Sequence, residues 1–435
     1  MQLDVANHPF GLAGKGLHPL LLDAKEAHRS GTVSYDVNGT LLLQHPSVGS
    51  LQIPPTRQFP CVRATFDDLN KSLSRLANSP RTDEGTTLRE NYENEVAHYE
   101  GLAAAAYAEG RFEPDYGSYI FDPRQNEIFL VAPELWHKLA LLVSNSTLLV
   151  NPEWKHGWRE LNQRLSTAVV GFAGVSVGGN VLEAWLREAR PRQIKLADPD
   201  WVELTNFNRC ERLSLRHLVG SRGARFDQRN PYEAARISKA AYIAYESLMV
   251  DPYMVIHMYD EGLTRGNIDR FLTGDGAKEP KLDVLVEEMD DLELKVIVRE
   301  SARRHGIDVL MLSDFGHQAH LLWNPFRTCP TSRLGYGATD ENLIKALDQA
   351  KCGERNKVFD YMAAFAGNDF ATDEFKSWIE GKGEHPTASL PQSGSTAMAS
   401  GAIGGKELAL HVLGHPVPKD NRVIYDIMRR TVREG

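Results

Sequence analysis

The residues with the clearest chemical meaning lie between positions 168 and 209, where glycines and acids follow two apolar runs. The first run, 168–173, is typical of a buried strand, and the glycine-rich turn Gly174-x-Ser176-x-x-Gly179 follows it directly. Further apolar residues then repeat at helical spacing up to about Ala189. A glycine turn at the start of a helix lets backbone N–H groups approach phosphate oxygens, and the helix dipole favours their negative charge. The segment therefore predicts a phosphate-binding turn.

Acidic residues follow the second apolar run. Residues 194–197 predict a strand that ends on Asp198-Pro199-Asp200, and Asn206 and Arg209 come shortly afterwards. An acid at the end of this strand can accept hydrogen bonds from ribose hydroxyls. Strand, glycine turn, helix, strand and terminal acid, in this order, indicate a nucleotide-binding βαβ unit.

Composition limits the function classes. The chain has 435 residues, enough for two or three domains, and its net charge of −9 gives no general attraction for nucleic acid or an anionic membrane. Its four cysteines are too scattered for a disulfide framework, and the absence of any C-x-x-C pair argues against a four-cysteine zinc site. We see no secretory leader and no apolar run long enough to span a bilayer, so we expect a cytoplasmic protein.

After Arg209 the sequence alternates between helical and strand patterns. Fully apolar strands that alternate with helices indicate a parallel sheet covered on both faces. The predicted elements are helices at 234–248, 266–272 and 292–305 and strands at 254–258, 283–287 and 307–312.

Several sequence motifs in this region occur in the order found in a known family. They are Gly174-x-Ser176-x-x-Gly179, Asp198-x-Asp200, Asn206-x-x-Arg209, Ser238-Lys239-Ala240, Val250-Asp251-Pro252, Asp290 after strand residues 284–286, and Leu390-Pro391-Gln392. Together they resemble the ThiF-type adenylyltransferases, the family that includes ubiquitin-activating enzymes and sulfur-carrier activators. The likeness covers about half of the chain. It is greatest to the ThiF portion of bacterial proteins that carry a nitroreductase-like domain.

The resemblance implies an α/β fold: a Rossmann-like, doubly wound, mostly parallel sheet with an N-terminal α+β adaptor region. Residues 119–123 and 127–131 look like a hairpin leading into it. We also predict amphipathic helices at 342–350 and 357–365 and a small-residue helix at 395–413. The expected segments are 1–115 of unknown role, 116–323 the first part of the adenylation domain, 324–392 an inserted crossover lobe, and 393–435 its C-terminal part.

The resemblance also implies a reaction. Family members bind ATP and Mg²⁺, and a carboxylate attacks the α-phosphate to give an acyl-adenylate and pyrophosphate. It implies a homodimer and an acceptor such as the C-terminus of a ubiquitin-like or sulfur-carrier protein. By position the implied roles are phosphate binding by Gly174, Ser176 and Gly179, ribose binding by Asp198 with Asp200 nearby, phosphate orientation by Asn206, charge neutralisation by Arg209 and Lys239, and Mg²⁺ binding by Asp290.

The chain departs from the family at three places. Cys210 stands where many members have glutamine, and residues 211–233 look like an insertion. Relatives also carry an arginine-rich run before the first strand, whereas residues 144–147 contain no arginine, so Arg159 or Arg164 would have to substitute. Some members form a thioester on a crossover cysteine. Cys352, with basic neighbours, is the candidate here, although an unremarkable thiol is the simpler interpretation.

Other functions stay open at this stage. A βαβ unit alone also suits an oxidoreductase that uses NAD or a flavin. The run 174–178 fits the G-x-S-x-G nucleophile elbow of esterases as well. A catalytically weak or inactive nucleotide-binding scaffold is a third alternative, favoured by the missing arginine. Asp314-Phe315-Gly316 matches a kinase triplet, but no other kinase element accompanies it.

Overall fold

The computed structural model describes residues 19–46, 49–58, 117–122, 127–131, 134, 158–210, 212–214, 237–276, 278–372, 376–377, 392–417 and 422–434. The chain forms two compact units. The first comprises residues 1–162, 221–225 and 245–253, and the second comprises 163–220, 226–244 and 254–435. No helix in the described part of the chain combines the length and the apolar character needed to cross a membrane.

The first unit contains two small antiparallel sheets around one apolar core. The sheets have the strand orders β1-β5-β6 and β2-β3-β4. Their elements are β1 (Leu20–Asp23), α1 (Ala24–Arg29), β2 (Val33–Tyr35), β3 (Leu41–His45), β4 (Gly49–Ile53), β5 (Ser118–Asp122) and β6 (Glu127–Val131). The predicted pairing of 119–123 with 127–131 is confirmed, because β5 and β6 pair antiparallel from Ser118 with Val131 to Asp122 with Glu127. The side chains of Leu41, Tyr119 and Ile128 are fully buried in the core between these elements.

An eight-stranded sheet organises the second unit. Its strand order is β14-β13-β12-β11-β10-β7-β8-β9, in which β11, β10, β7, β8 and β9 run parallel and the other three strands pair antiparallel. The strands are β7 (Val170–Ala173), β8 (Gln193–Ala197), β9 (Val255–Tyr259), β10 (Val284–Glu287), β11 (Asp308–Phe315), β12 (Gln318–Asn324), β13 (Arg422–Asp426) and β14 (Thr431–Glu434). The predicted fold class, a Rossmann-like and mostly parallel α/β sheet, is confirmed.

Helices connect these strands in the predicted order. They are α2 (Trp158–Thr167), α3 (Val177–Glu188), α4 (Lys239–Val250), α5 (Ile268–Thr273), α6 (Leu292–His305), α7 (Asp340–Ala350), α8 (Arg355–Ala366) and α9 (Gly394–Val412). The helix at 292–305 is confirmed to the residue, because the Asp291 carboxylate caps its start and Gly306 ends it in the left-handed conformation.

Two predicted boundaries differ from the structure by three residues or more. The described part of α4 begins at Lys239 and not at 234, because Ser238 pairs with Trp201 and the Lys239 N–H donates to the Asp200 carbonyl at 2.9 Å. Strand β11 continues past Leu312 to Phe315, because it pairs antiparallel with β12 up to the turn at Gly316. This extension of β11 keeps Asp314 within the sheet.

Helices α3 and α9 approach each other closely through glycine. A Cβ atom at Gly405 of α9 would lie 2.7 Å from the backbone carbon of Ala184 in α3. Only a residue without a side chain fits this distance. The small-residue composition of α9 therefore lets it pack on the helix that follows the glycine-rich turn.

Replacing Gly405 with alanine is expected to destabilise the protein by about 1–3 kcal/mol, because the added methyl group overlaps the α3 backbone. At an open helix position the same change would stabilise by about 1 kcal/mol through helix propensity. The control Ala402→Gly, on the exposed side of α9, should cost about 1 kcal/mol by propensity alone. Urea denaturation measures both, and a Gly405→Ala chain more stable than the original would contradict the close approach.

His320 is a buried histidine in the sheet. His320 lies on β12 and is 2% exposed. Its Nε2 lies 3.2 Å from Gln318 Oε1, and its ring packs edge to face on Phe315 with the ring centroids 5.0 Å apart. Burial, with a smaller contribution from the nearby Arg422 cation, lowers the pKa of His320 to about 3. The folded protein therefore keeps this ring neutral at pH values where the unfolded chain protonates it.

Protonation of His320 should make stability fall as the pH drops from about 6.5, the ordinary histidine pKa, towards 3. In this window the unfolded chain binds one more proton, so the loss is about 1.4 kcal/mol per pH unit. The variant His320→Gln should show a slope of unfolding free energy against pH that is shallower by this amount. His317→Gln, in the turn between β11 and β12, is the matched control, and equal slopes for His320→Gln and the original chain would contradict the assignment.

Candidate functional site

A cavity of about 540 Å³ opens where the parallel strands end. Gly174 follows β7, Asp198 follows β8, Glu288 follows β10, and Asp314 lies near the end of β11. Because the carboxyl ends of parallel strands meet at one edge of a sheet, ligands of doubly wound folds bind there. The cavity therefore occupies the position where the sequence predicts a nucleotide.

Seven of the ten residues predicted for the site line this cavity. They are Gly174, Ser176, Asp198, Asp200, Arg209, Lys239 and Asp290. The structure thus brings together residues that lie as far as 116 positions apart in the sequence. Their roles toward a ligand stay predictions.

The other three predicted residues lie elsewhere. A Cβ at Gly179 would be 2.7 Å from Ile243 Cδ1, so this glycine permits close helix packing. Asn206 is buried, and its Oδ1 accepts the Glu203 N–H at 2.8 Å, which caps the short 3₁₀ turn that carries Arg209 to the cavity. Cys352 is exposed in the turn after α7.

The glycine-rich turn has the shape that only glycine adopts easily. Gly174 has φ +84°, and a Cβ there would lie 2.5 Å from the carbonyl oxygen of Glu288. The N–H of Gly174 donates to the Ala197 carbonyl at 2.8 Å. Both constraints bring the backbone after β7 close to its neighbouring strands.

Asp198 supports the loops at the cavity through both of its carboxylate oxygens. Its Oδ2 accepts the Val175 N–H at 2.8 Å and its Oδ1 accepts the Asp200 N–H at 2.9 Å. Burial raises the pKa of Asp198, and the nearby Lys239 cation partly offsets this effect. Asp198 therefore positions the turn, and Asp200, whose side chain is 62% exposed, is the acid open to a ligand.

Two cations line the same cavity. Lys239 Nζ lies 2.8 Å from Asp200 Oδ2, and its side chain is 10% exposed. Arg209 is half-buried, and its Nη1 donates to the Thr205 carbonyl at 3.0 Å and to Asn208 Oδ1 at 3.1 Å. Arginine offers a planar fork of donors and lysine a compact charge, so the pair suits phosphate oxygens.

Four acids follow β10 or end it, and three of them have structural partners. Glu287 is fully buried against Arg299 at 2.7 Å and Lys295 at 2.9 Å. Glu288 accepts the Leu312 N–H, and Asp291 caps α6. Burial would raise the pKa of Glu287, but Lys295 and Arg299 hold it below the usual value. Asp290 is exposed at the cavity wall, and it is the one acid of the four for which the described residues show no such structural partner.

Asp314 and Gln392 also line the cavity, although neither is among the predicted site residues. Asp314 lines it and accepts a hydrogen bond from Gln392 Nε2 at 3.2 Å. Burial raises the pKa of Asp314 to about 7, against the lowering effect of Arg209. Asp314 was dismissed with its triplet, although an acid at the end of a core strand is a usable signal. Contact with Gln392, 78 positions away, leaves no trace in the spacing.

The cysteine and arginine alternatives receive little support. Burial raises the pKa of Cys210, which keeps it a thiol and argues against a nucleophile. Arg164 donates to the Leu413 carbonyl at 3.1 Å and does not line the cavity. The side chain of Arg159, residues 144–147 and most of 211–233 lie outside the described residues.

An esterase would need a base beside Ser176. Ser176 lines the cavity, but among the described lining residues there is no histidine. A serine nucleophile depends on such a base within hydrogen-bond reach. Among the described residues, Ser176 therefore lacks the histidine that a serine triad uses.

Comparison with known proteins finds distant similarity. No protein-family model matches the chain. Over 152 residues it is 32% identical to the uncharacterized protein MT1398 of Mycobacterium tuberculosis, a match that covers 35% of this chain and only 18% of that relative.

Solved structures are similar at low scores. PaaA matches with TM-score 0.45 and 14% identity over 80% of this chain and 95% of PaaA. Escherichia coli MccB with ATP matches with TM-score 0.40 and 13% identity over 69% of each chain. The microcin C7 biosynthetic enzyme MccB, in complex with N-formylated MccA, matches with TM-score 0.41 and 12% identity over 95% of this chain and 96% of that chain. Similarity at this level assigns neither a substrate nor a reaction.

Replacing Gly174 with alanine should destabilise the protein by more than the about 1–2 kcal/mol that a left-handed alanine costs. The additional loss comes from contact between the new Cβ and the Glu288 carbonyl. Gly306→Ala is the matched control, because Gly306 also has positive φ, +61°, but nothing within 4 Å of its Cβ position. Denaturant unfolding of both variants measures the difference, and equal losses would show that the Glu288 contact is absent.

Proposed function

We propose that the chain is an ATP-dependent adenylyltransferase that activates a carboxylate as an acyl-adenylate. One observation carries the proposal: the turn at Gly174, the cations Arg209 and Lys239, and the acid Asp290 line the same cavity. The proposal is supported by these residues of the chain and not by its similarity to solved structures. Phosphoryl and adenylyl transfer depends mainly on alignment and charge neutralisation, which this set provides.

Each residue then has a defined task. The glycine-rich turn presents backbone N–H groups at the start of α3 to phosphate oxygens. Arg209 and Lys239 neutralise the charge that develops as the acceptor oxygen bonds to the α-phosphorus and pyrophosphate leaves with the electrons of the broken bond. Asp200 accepts from the ribose hydroxyls, while Asp198 keeps both loops in place.

A magnesium ion fits this donor set. Among the described residues no cluster of three or more His, Cys, Asp or Glu could hold a metal alone. Mg²⁺ usually binds proteins through one or two carboxylates together with substrate phosphates, and when bound it neutralises phosphate charge. Asp290 is an exposed carboxylate on the cavity wall and would hold it.

Partners of the chain follow from the same proposal. We infer an acceptor that presents a terminal carboxylate, such as a ubiquitin-like or sulfur-carrier protein, and a homodimer as the working form. We also propose that the chain is related to the ThiF portion of nitroreductase fusion proteins and that it is cytoplasmic. So does a thioester on Cys352, whose exposed position after α7 leaves it accessible.

A nucleotide-binding scaffold without turnover is the second candidate. The observation that favours it is Arg164, which is held at the end of α9 by the Leu413 carbonyl and lies off the cavity. An oxidoreductase would use the same strand edge, but a dinucleotide does not need two cations at the glycine turn. Co-purified NAD or flavin would support the oxidoreductase, and bound ATP without exchange would support the scaffold.

Removal of either cavity cation should impair the reaction. Lys239→Ala and Arg209→Ala should each lower the rate of ATP–pyrophosphate exchange by about 10²–10³-fold, because a preorganised charge partner of the transition state is lost. The assay contains candidate acceptors with a free C-terminal carboxylate. Lys406→Ala is the control, since this lysine pairs with Glu188 away from the cavity.

Three outcomes distinguish the candidates. Exchange in the original chain that falls in both variants but not in Lys406→Ala supports adenylation. Exchange that is unchanged in Lys239→Ala and Arg209→Ala contradicts the site. Absence of both ATP binding and exchange in the original chain rejects the proposed function.

A further inference from the structure

Asn180 is a buried asparagine whose amide joins three elements of the fold. It is 2% exposed, and its Nδ2 donates to the Arg209 carbonyl at 2.6 Å and to the Ala397 carbonyl at 3.3 Å. A primary amide has two N–H donors, so this one side chain satisfies both carbonyls. Asparagine is required here, because the ionised carboxylate of an isosteric aspartate has no hydrogen to donate. The two bonds connect α3 to the loop after β8 and to α9.

Helix α9 packs on the same region without space for side chains. A Cβ at Gly401 would lie 2.5 Å from Asn180 Cβ, and a Cβ at Gly394 would lie 2.2 Å from the Asn208 carbonyl oxygen. Asn208 directly precedes Arg209 in the chain. The loop that carries Arg209 therefore contacts α9 through the Asn208 carbonyl and contacts α3 through the Asn180 amide.

The position of the Arg209 guanidinium depends on the backbone of its own loop. The Arg209 N–H donates to the Asn206 carbonyl at 3.1 Å, and the Arg209 carbonyl accepts from Asn180. Its Nη1 donates to the Thr205 carbonyl at 3.0 Å and to Asn208 Oδ1 at 3.1 Å. Within the described part of the chain its Nε and Nη2 have no hydrogen-bond partner, so these donors remain for a ligand. Movement of the loop backbone would therefore move the free donors of the cation.

We propose that Asn180 is a positioning residue that holds the Arg209 cation in register with the glycine-rich turn. Asn180 is the fourth residue of α3, and the turn at Gly174 leads directly into this helix. The backbone N–H groups at the start of α3 and the guanidinium of Arg209 thus have one common support. The inference rests on the proposed function, and it assigns the residue through which the two phosphate-binding groups are aligned. Alignment of this kind is what adenylyl transfer requires of a protein.

The test is a double-mutant cycle on the full chain. Asn180→Ala removes both donors and should lower the rate of ATP–pyrophosphate exchange by about tenfold, because a displaced charge partner stabilises the transition state less. In an Arg209→Ala background the same change should alter the rate by less than about twofold, since the group that Asn180 positions is absent. In a Lys239→Ala background the tenfold loss should remain. A residue that acted only on stability would show the same loss in every background.

The matched control is a second buried asparagine. Asn324 is also 2% exposed, its Nδ2 donates to the Arg333 carbonyl at 2.7 Å, and it does not line the cavity. Asn324→Ala should lower the melting temperature and leave the exchange rate within about twofold. Asn180→Ser keeps one hydroxyl donor, which can satisfy one carbonyl at most, and should lose less activity than Asn180→Ala. Melting temperatures identify a variant that fails to fold, and if Asn180→Ala does so the cycle is measured with Asn180→Ser.

Two results would overturn the inference while leaving adenylation in place: an unchanged exchange rate in Asn180→Ala, or an equal loss with and without Arg209. The same cycle is also measured as the affinity for α,β-methylene ATP by titration calorimetry. Coupling between Asn180 and Arg209 in binding, without any exchange in the original chain, would keep the positioning role and reject adenylation. Absence of ATP-analogue binding together with absence of exchange would reject both.

Discussion

One buried carboxylate fixes the geometry of the whole cavity. Asp198 accepts hydrogen bonds from the N–H groups of Val175 and Asp200, so one carboxylate binds both the loop after β7 and the loop after β8. The two strands already pair in parallel register up to Ala173 and Ala197, immediately before these loops. A charge in this position is stable only with compensation, and the nearby Lys239 cation provides part of it. The loops that would hold a nucleotide are therefore fixed before any ligand binds, which is the condition for electrostatic preorganisation.

The same principle separates supporting acids from available ones. Glu287, Glu288 and Asp291 are each bound by a cation or by backbone N–H groups of this unit. Asp290 has no such partner among the described residues, and Asp314 Oδ2 is buried without a hydrogen-bond partner, although both residues line the cavity. Asp290 is therefore the acid of this group that remains available to a ligand.

Much of this architecture could be predicted from the sequence, because strands and helices of a parallel α/β sheet have distinct apolar periodicities. The βαβ unit, α6, α7, α8, α9 and the hairpin of β5 and β6 all appear where those patterns indicated. The extension of β11 over residues 313–315 could not be predicted, because these residues are ordered by their pairing with β12 and not by apolar character. Seven predicted site residues line the cavity, and their positions followed from the resemblance to the ThiF-type proteins and not from spacing alone. Asp314 and Gln392 each appear in a sequence motif, but the contact between them arises only from the tertiary fold and could not be predicted.

The cavity residues come from two parts of the chain. One part would hold the reacting phosphates, and the other would contact the acceptor. The glycine turn and Arg209 lie on the loops after β7 and β8, where Asp198 and the sheet register leave little freedom, and Lys239 is the first residue of α4. The apolar residues of α8 that line the cavity lie in the segment between β12 and α9, outside the parallel strands. Substitutions there would alter the shape offered to an acceptor side chain without displacing Arg209 or Lys239. Gln392 links the sheet to the loop of Arg209, because its Nε2 donates to Asp314 and its carbonyl accepts from Asn208.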